Sequence, residues 1–126
     1  MSNTASVSEL VSQLVAHVSQ GKILEAYDAL YAENVVMQEN NNPPTVGKAA
    51  NRVREEQFVG SVKEVHVNRA AKVLVDGNKA VIEWVLEFTN QDGVRLKFDQ
   101  IALQTWENGQ ITEERFFYDS GSLVQG

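Results

Sequence analysis

A chain of 126 residues with 43% apolar and 22% charged content has the size and make-up of one globular domain, so residues 1–126 are read as a single unit. A formal charge of −6 and a pI near 4.9 oppose the counterion release on which nucleic-acid affinity rests, which sets aside DNA, RNA and anionic membrane surfaces as partners. The sequence has no cysteine, which removes disulfides, thiolate catalysis and cysteine-ligated zinc.

No apolar run approaches the roughly 20 residues that a bilayer-spanning helix needs. The opening MSNTASVSEL has neither a basic leader nor a continuous apolar stretch, so a cytoplasmic location is expected. Val7, Leu10, Val11, Leu14, Val15 and Val18 then recur at the spacing of one helix face. Ser6 and Glu9 have the form of a capping box, and Gly21 is placed to end that helix. A shorter helix follows with Ile23, Tyr27, Leu30 and Tyr31 inward, then a short strand over Val35, Val36 and Met37. The ENNNPPT segment, Glu39 to Thr45, reads as a loop because its prolines and asparagines oppose regular pairing. Ala50, Val53, Gln57 and Phe58 predict the inner face of a third helix between Gly47 and Val59, stopped by Gly60.

From Val62 the period becomes alternating, and Asp76-Gly77, Asp92-Gly93 and Asn108-Gly109 mark three hairpin turns. The intervening runs, about 62–75, 79–90, 94–107 and 110–119, predict a four-stranded antiparallel meander. In the second run Ile82, Trp84, Leu86 and Phe88 share one face and Glu83 and Glu87 the other, so the former should meet the helices. The third run is apolar on both sides, with Leu96 and Phe98 opposed by Ile101 and Leu103. Either a bulge resets its register or its outer face is covered as well.

This order of elements resembles the nuclear transport factor 2-like superfamily. The segment YAENVVMQEN, then a loop, Val46-Gly47-Lys48-Ala49 and a helix, is similar to that family's tyrosine, acidic residues, short strand and glycine-led third helix. WENGQITEERFFYD, residues 106–119, resembles its final hairpin. Within the superfamily the chain looks like the SnoaL-like group of polyketide cyclases, related to ketosteroid isomerases and limonene epoxide hydrolases. The resemblance implies an α+β cone of three N-terminal helices packed on a curved, mainly antiparallel sheet, with a largely apolar pocket between them.

The same resemblance places Glu39 at the catalytic carboxylate of ketosteroid isomerases, where an apolar setting would raise its pKa toward that of a proton shuttle. The competing reading is a solvated glutamate opening a polar loop. The donors that hold an enolate oxygen in those enzymes fall near Leu14 and Ala102, which have no side-chain donor, so steroid-type isomerisation in the known manner is not expected. Trp84 and Tyr118 are expected to face the cavity as rings with one donor each, the competing reading being aromatics that fill the core; Phe116 and Glu114 share the register of Tyr118, with Glu114 either at the opposite end of that face or at the exposed start of the strand. Asp99 and Asp119 read as surface partners of Lys97 or Arg115, against the alternative that one serves as acid or base. His17 and His66 form no ligand pair, and phosphate-loop, dinucleotide and nucleophile-elbow motifs are absent, so no metal or cofactor is expected.

Two functions remain in competition. One is acid/base isomerase, cyclase or hydrolase chemistry on a small apolar compound; the other is a non-catalytic ligand-binding or dimeric association domain. A homodimer is expected in either case, because Ile101, Leu103 and Phe117 lie on a sheet face that the helices cannot cover.

Overall fold

Helix α1 (Val7–Ser19) starts at the predicted capping box, whose two arms are both formed: the Glu9 N–H donates to Ser6 Oγ at 3.2 Å and the Ser6 N–H to Glu9 Oε1 at 3.1 Å. The computed structural model describes residues 6–119. Val11 and Leu14 are buried, with Val7, Leu10, Val15 and Val18 packed around them, so the apolar stripe is the inner face. Gly21 turns the chain at φ +80° into α2 (Ile23–Leu30), which buries Ala26, Tyr27 and Leu30.

Tyr31 does not continue α2. It opens β1 (Tyr31–Glu39), a strand longer than the three residues expected, and a tight turn returns the chain as β2 (Thr45–Val46), which pairs antiparallel with β1. Helix α3 (Lys48–Ser61) then leads into β3 (Val62–Asp76), β4 (Lys79–Asn90), β5 (Arg95–Glu107) and β6 (Gln110–Phe117). These four strands form the expected meander, and their bounds lie within two residues of those read from the turn signals. At the last turn both Asn108 (φ +53°) and Gly109 (φ +78°) take the left-handed conformation that a two-residue hairpin requires.

The sheet is larger than the meander. It has six strands in the order β2-β1-β6-β5-β4-β3, and β1 joins it parallel to β6, with Met37 opposite Glu114 and Glu39 opposite Phe116. The sheet is therefore mixed, and the helices cover one face of it. No local signal announces the parallel pair, because its strands are separated by the whole meander.

Helix α3 departs most from the sequence expectation. Ala50, Val53 and Gln57 are exposed, while Asn51, Glu55 and Phe58 turn inward. Asn51, 1% exposed, donates from Nδ2 to the carbonyls of Thr45 and Gly47, both at 2.9 Å, and so ties the helix to β2. The inner positions are largely polar, so an apolar period selects the wrong face.

Strand β5 settles the open register question. It pairs with β4 without any shift, leaving Phe98, Gln100, Ala102, Gln104 and Trp106 on the helix side and Ile101 and Leu103 on the outer side. The only irregularity in its pairing with β6 lies between Thr105 and Trp106. That bulge lets Ile111 and Glu114, of opposite parity, both point inward. Among the described residues no helix is long and apolar enough to cross a membrane.

Ile82 is fully buried at the centre of this core. Ile82→Ala should lower unfolding free energy by about 2–5 kcal/mol, whereas Val53→Ala, at a position 52% exposed, should change it by no more than about 0.5 kcal/mol. Urea titration of both variants checks the assignment of the α3 face.

Candidate functional site

Between the helices and the inner sheet face lies a cavity of about 290 Å³. Its walls are built by α3 (Glu55, Phe58), β4 (Trp84, Leu86), β5 (Phe98, Gln100) and the end of β6. Three of its rings are joined through Phe88, which lies behind them: Phe58 meets Phe88 edge-on at 5.6 Å, Phe88 stacks on Phe98 at 6.0 Å, and Phe98 meets Tyr118 edge-on at 5.3 Å.

All five residues singled out from the sequence line this cavity. Trp84 is 8% exposed, Phe116 and Tyr118 follow Glu114 on the inner face, and Glu39 lies at the end of β1. Glu39 fits neither of its two readings, a carboxylate in an apolar setting or a solvated glutamate, because it is partly exposed and ion-paired. Arg54 Nη2 donates to its Oε2 at 2.5 Å and the Tyr118 hydroxyl to its Oε1 at 2.7 Å, while about a third of the side chain remains exposed. Tyr118 lies just past β6, where the Asn40 side chain accepts its backbone N–H at 2.9 Å. Burial and the bond to Glu39 push the Tyr118 phenol up to about 12, so at neutral pH it remains a donor.

Glu114 is 2% exposed and sits at the end of a directed chain of hydrogen bonds. The Trp106 indole N–H donates to Gln104 Oε1 at 3.0 Å, which leaves the Gln104 amide nitrogen facing Glu114 Oε2 at 2.7 Å. Tyr31 donates to the other oxygen. An indole can only donate, so Trp106 fixes which way the Gln104 amide points. Both oxygens of Glu114 are thus satisfied, yet desolvation outweighs these two donors and raises its pKa to about 7.

Sequence reasoning missed Glu55. It falls outside the apolar set Ala50, Val53, Gln57 and Phe58 that predicts the inner face, yet it is partly buried and lines the cavity, with no hydrogen-bond partner on its carboxyl among the described residues. Burial, with the charges of Glu114 and Glu39 added, raises its pKa to about 7 against the opposing pull of Arg54. The signal was present in the spacing of Asn51, Glu55 and Phe58, which repeats every three to four residues but mixes polar with aromatic.

The remaining candidates lie elsewhere. Asp99 is exposed and pairs with Val85 on the outer sheet face, and Asp119 is exposed. Arg115 bonds the β1–β2 turn through Asn40 O at 3.1 Å and Asn41 Oδ1 at 2.7 Å. His17 Nδ1 contacts Gln13 O, and His66 Nε2 contacts Thr89 Oγ1, each at 2.8 Å. Neither histidine lines the cavity.

The raised carboxyl pKa values carry a stability consequence. Between pH 4.5 and 7 the folded protein holds protons on Glu55 and Glu114 that the unfolded chain has released, so stability falls as pH rises through this window. Glu55→Gln should match the parent near pH 4 and exceed it at pH 8 by about 1–3 kcal/mol. Urea denaturation at the two pH values measures the difference.

Residues 5–118 match the SnoaL-like domain family. No curated protein matches the chain in sequence. Among solved structures, a candidate SnoaL-like polyketide cyclase from Mesorhizobium loti superposes with a TM-score of 0.81 at 24% identity, over 90% of this chain and 100% of the other. A candidate polyketide cyclase from Pseudomonas putida gives 0.77 at 19% identity, covering 94% and 95%. An LEH-like epoxide hydrolase of M. tuberculosis gives 0.75 at 15% identity, covering 97% and 89%. These likenesses share the fold, and the match over nearly the whole sequence supplies the family: the chain belongs to the SnoaL-like domain family.

Proposed function

We propose that the protein binds a small, mainly apolar molecule in the cone and acts on it by acid/base chemistry of the isomerase, cyclase or hydrolase kind. One observation carries this reading: Glu55, a carboxyl with a pKa near 7 and no hydrogen-bond partner among the described residues, lines an aromatic-walled cavity together with the buried Glu114 and the bridged Glu39. A group half-protonated at neutral pH can both take and return a proton. Trp84, Phe116 and Tyr118 supply the apolar contact, Glu114 is held in place by Tyr31 and Gln104, and Glu39 stands at the partly exposed end as a second proton acceptor. Named cyclases and an epoxide hydrolase among the structural relatives are consistent with such chemistry.

Proton abstraction beside a carbonyl can be detected without knowing the natural substrate. Incubation with a panel of small cyclic ketones in D2O should yield deuterated ketone by mass spectrometry, and Glu55→Gln and Glu39→Gln should each slow exchange by about 10²–10⁴-fold. An unchanged rate in either variant removes that carboxyl from proton transfer. Failure of the whole panel to exchange, with the ketones still bound, favours the ligand-binding reading.

The alternative, a non-catalytic binding or association domain, draws on the outer sheet face. Leu74, Val81 and Leu103 are direct cross-strand neighbours there, next to the pair Ile101 and Phe117. Leu74 is 68% exposed, Leu103 41% and Phe117 38%. Burying such a stripe against its own copy is the reason to propose a homodimer. Light scattering should give twice 14.0 kDa, and Leu103→Glu should yield a folded monomer. A monomer mass for the parent chain at micromolar concentration overturns the dimer.

A further inference from the structure

We infer that the ligand of this cavity carries a positive charge: an organic ammonium group, attached to an apolar or aromatic body, that sits against Glu55. The inference rests on the reading of the cavity as a ligand site and adds the chemical class of its occupant.

The ionisable lining is one-sided. Glu39, Glu55 and Glu114 face the cavity with Arg54 as the only cationic side chain among the described lining residues. The donors nearest two of these carboxyls are engaged: Arg54 and the Tyr118 hydroxyl serve Glu39, and the Tyr31 hydroxyl and the Gln104 amide serve Glu114. An anionic ligand would enter a cavity whose lining carries three carboxyls against one guanidinium. Among the described residues Glu55 is the one of these three carboxyls with no hydrogen-bond donor on it, and a cation supplies one.

The walls suit the same occupant. Phe58, Trp84, Phe98 and Tyr118 line the same cavity as Glu55, and ring faces attract a cation while they bury its apolar substituents. An uncharged apolar ligand gains the ring contacts alone and favours the protonated form of Glu55, whereas an ammonium adds an ion pair with its carboxylate form. A cavity of about 290 Å³ limits the occupant to a small molecule, at the low end of the usual ligand-site range.

Binding is linked to protonation with a definite sign. The groups that face Glu55 are Glu114 on β6, Glu39, Tyr31 on β1 and Tyr27 on α2, together with its neighbour Arg54 on α3. Of these only Glu114 shares its pKa of about 7. A cation favours the carboxylate form, so its binding expels a proton and its affinity rises with pH. A neutral carbonyl ligand, held by the protonated carboxyl, has the opposite dependence.

The test uses the full chain and two probes of equal shape, benzyltrimethylammonium and its uncharged carbon isostere neopentylbenzene, with binding followed by NMR at pH 6 and pH 8. A quaternary ammonium does not titrate, so any pH dependence belongs to the protein. Benzyltrimethylammonium should bind about tenfold more tightly at pH 8 than at pH 6, and more tightly than neopentylbenzene at pH 8. Glu55→Gln should weaken the cation about tenfold at pH 8 and flatten its pH dependence, with Glu55→Ala behaving alike if the amide perturbs folding. Tighter binding of the neutral isostere, a cation affinity that rises on acidification, or retained cation affinity in the Glu55 variants each overturns the inference while the apolar cavity stands as a ligand site. Binding of neither probe overturns both.

Discussion

The parallel pairing of β1 with β6 is the constraint on which the rest depends. Its register sets Met37 beside Glu114 and Glu39 beside Phe116, which brings the Tyr31 hydroxyl onto Glu114 and the Tyr118 hydroxyl onto Glu39. Without it the meander is an antiparallel sheet with an open edge at β6, and the acidic groups of the cavity come from unconnected parts of the chain. The backbone bonds of that edge are then unpaired, so closing the sheet and assembling the site are one event.

Burying carboxyls is costly, and the three here bear that cost differently. Glu114 has two donors, held by an amide whose orientation the Trp106 indole imposes. Glu39 has a guanidinium and a phenol and stays partly in solvent. Glu55 has neither, so its burial is expressed as a raised pKa and not as a bond. A packed core gains nothing from such a residue in isolation. Strain of this kind, left uncompensated within the protein, is what a functional site looks like in energetic terms.

Helix α3 mediates between these demands. Its inner face carries Asn51, which anchors the helix to the carbonyls around β2, then Glu55 over the cavity, then Phe58 at the end of the ring row. One face thus serves anchoring, charge and packing in turn. The outer sheet face is simpler: regular alternation along β5, with no shift against β4, commits Ile101 and Leu103 to the side opposite helices α1, α2 and α3.

The sequence by itself determined the elements whose causes are local. The capping box and apolar stripe of α1, the turn dipeptides of the meander and the inward set Ile82, Trp84 and Phe88 all depend on neighbours within a few residues, and each was legible. The resemblance brought Glu39 into consideration through the segment YAENVVMQEN, and Glu114, Phe116 and Tyr118 through the register of the last strand. Tertiary structure alone decided the parallel β1–β6 pair, the bulge opposite Thr105 and Trp106 that turns Glu114 inward, the ion pair that engages Glu39, and the inward rotation of Glu55. The physical reason is common to all four. Apolar periodicity reports burial only where buried residues are apolar, and a polar group's environment is fixed by partners distant in sequence, whose arrival no local pattern records.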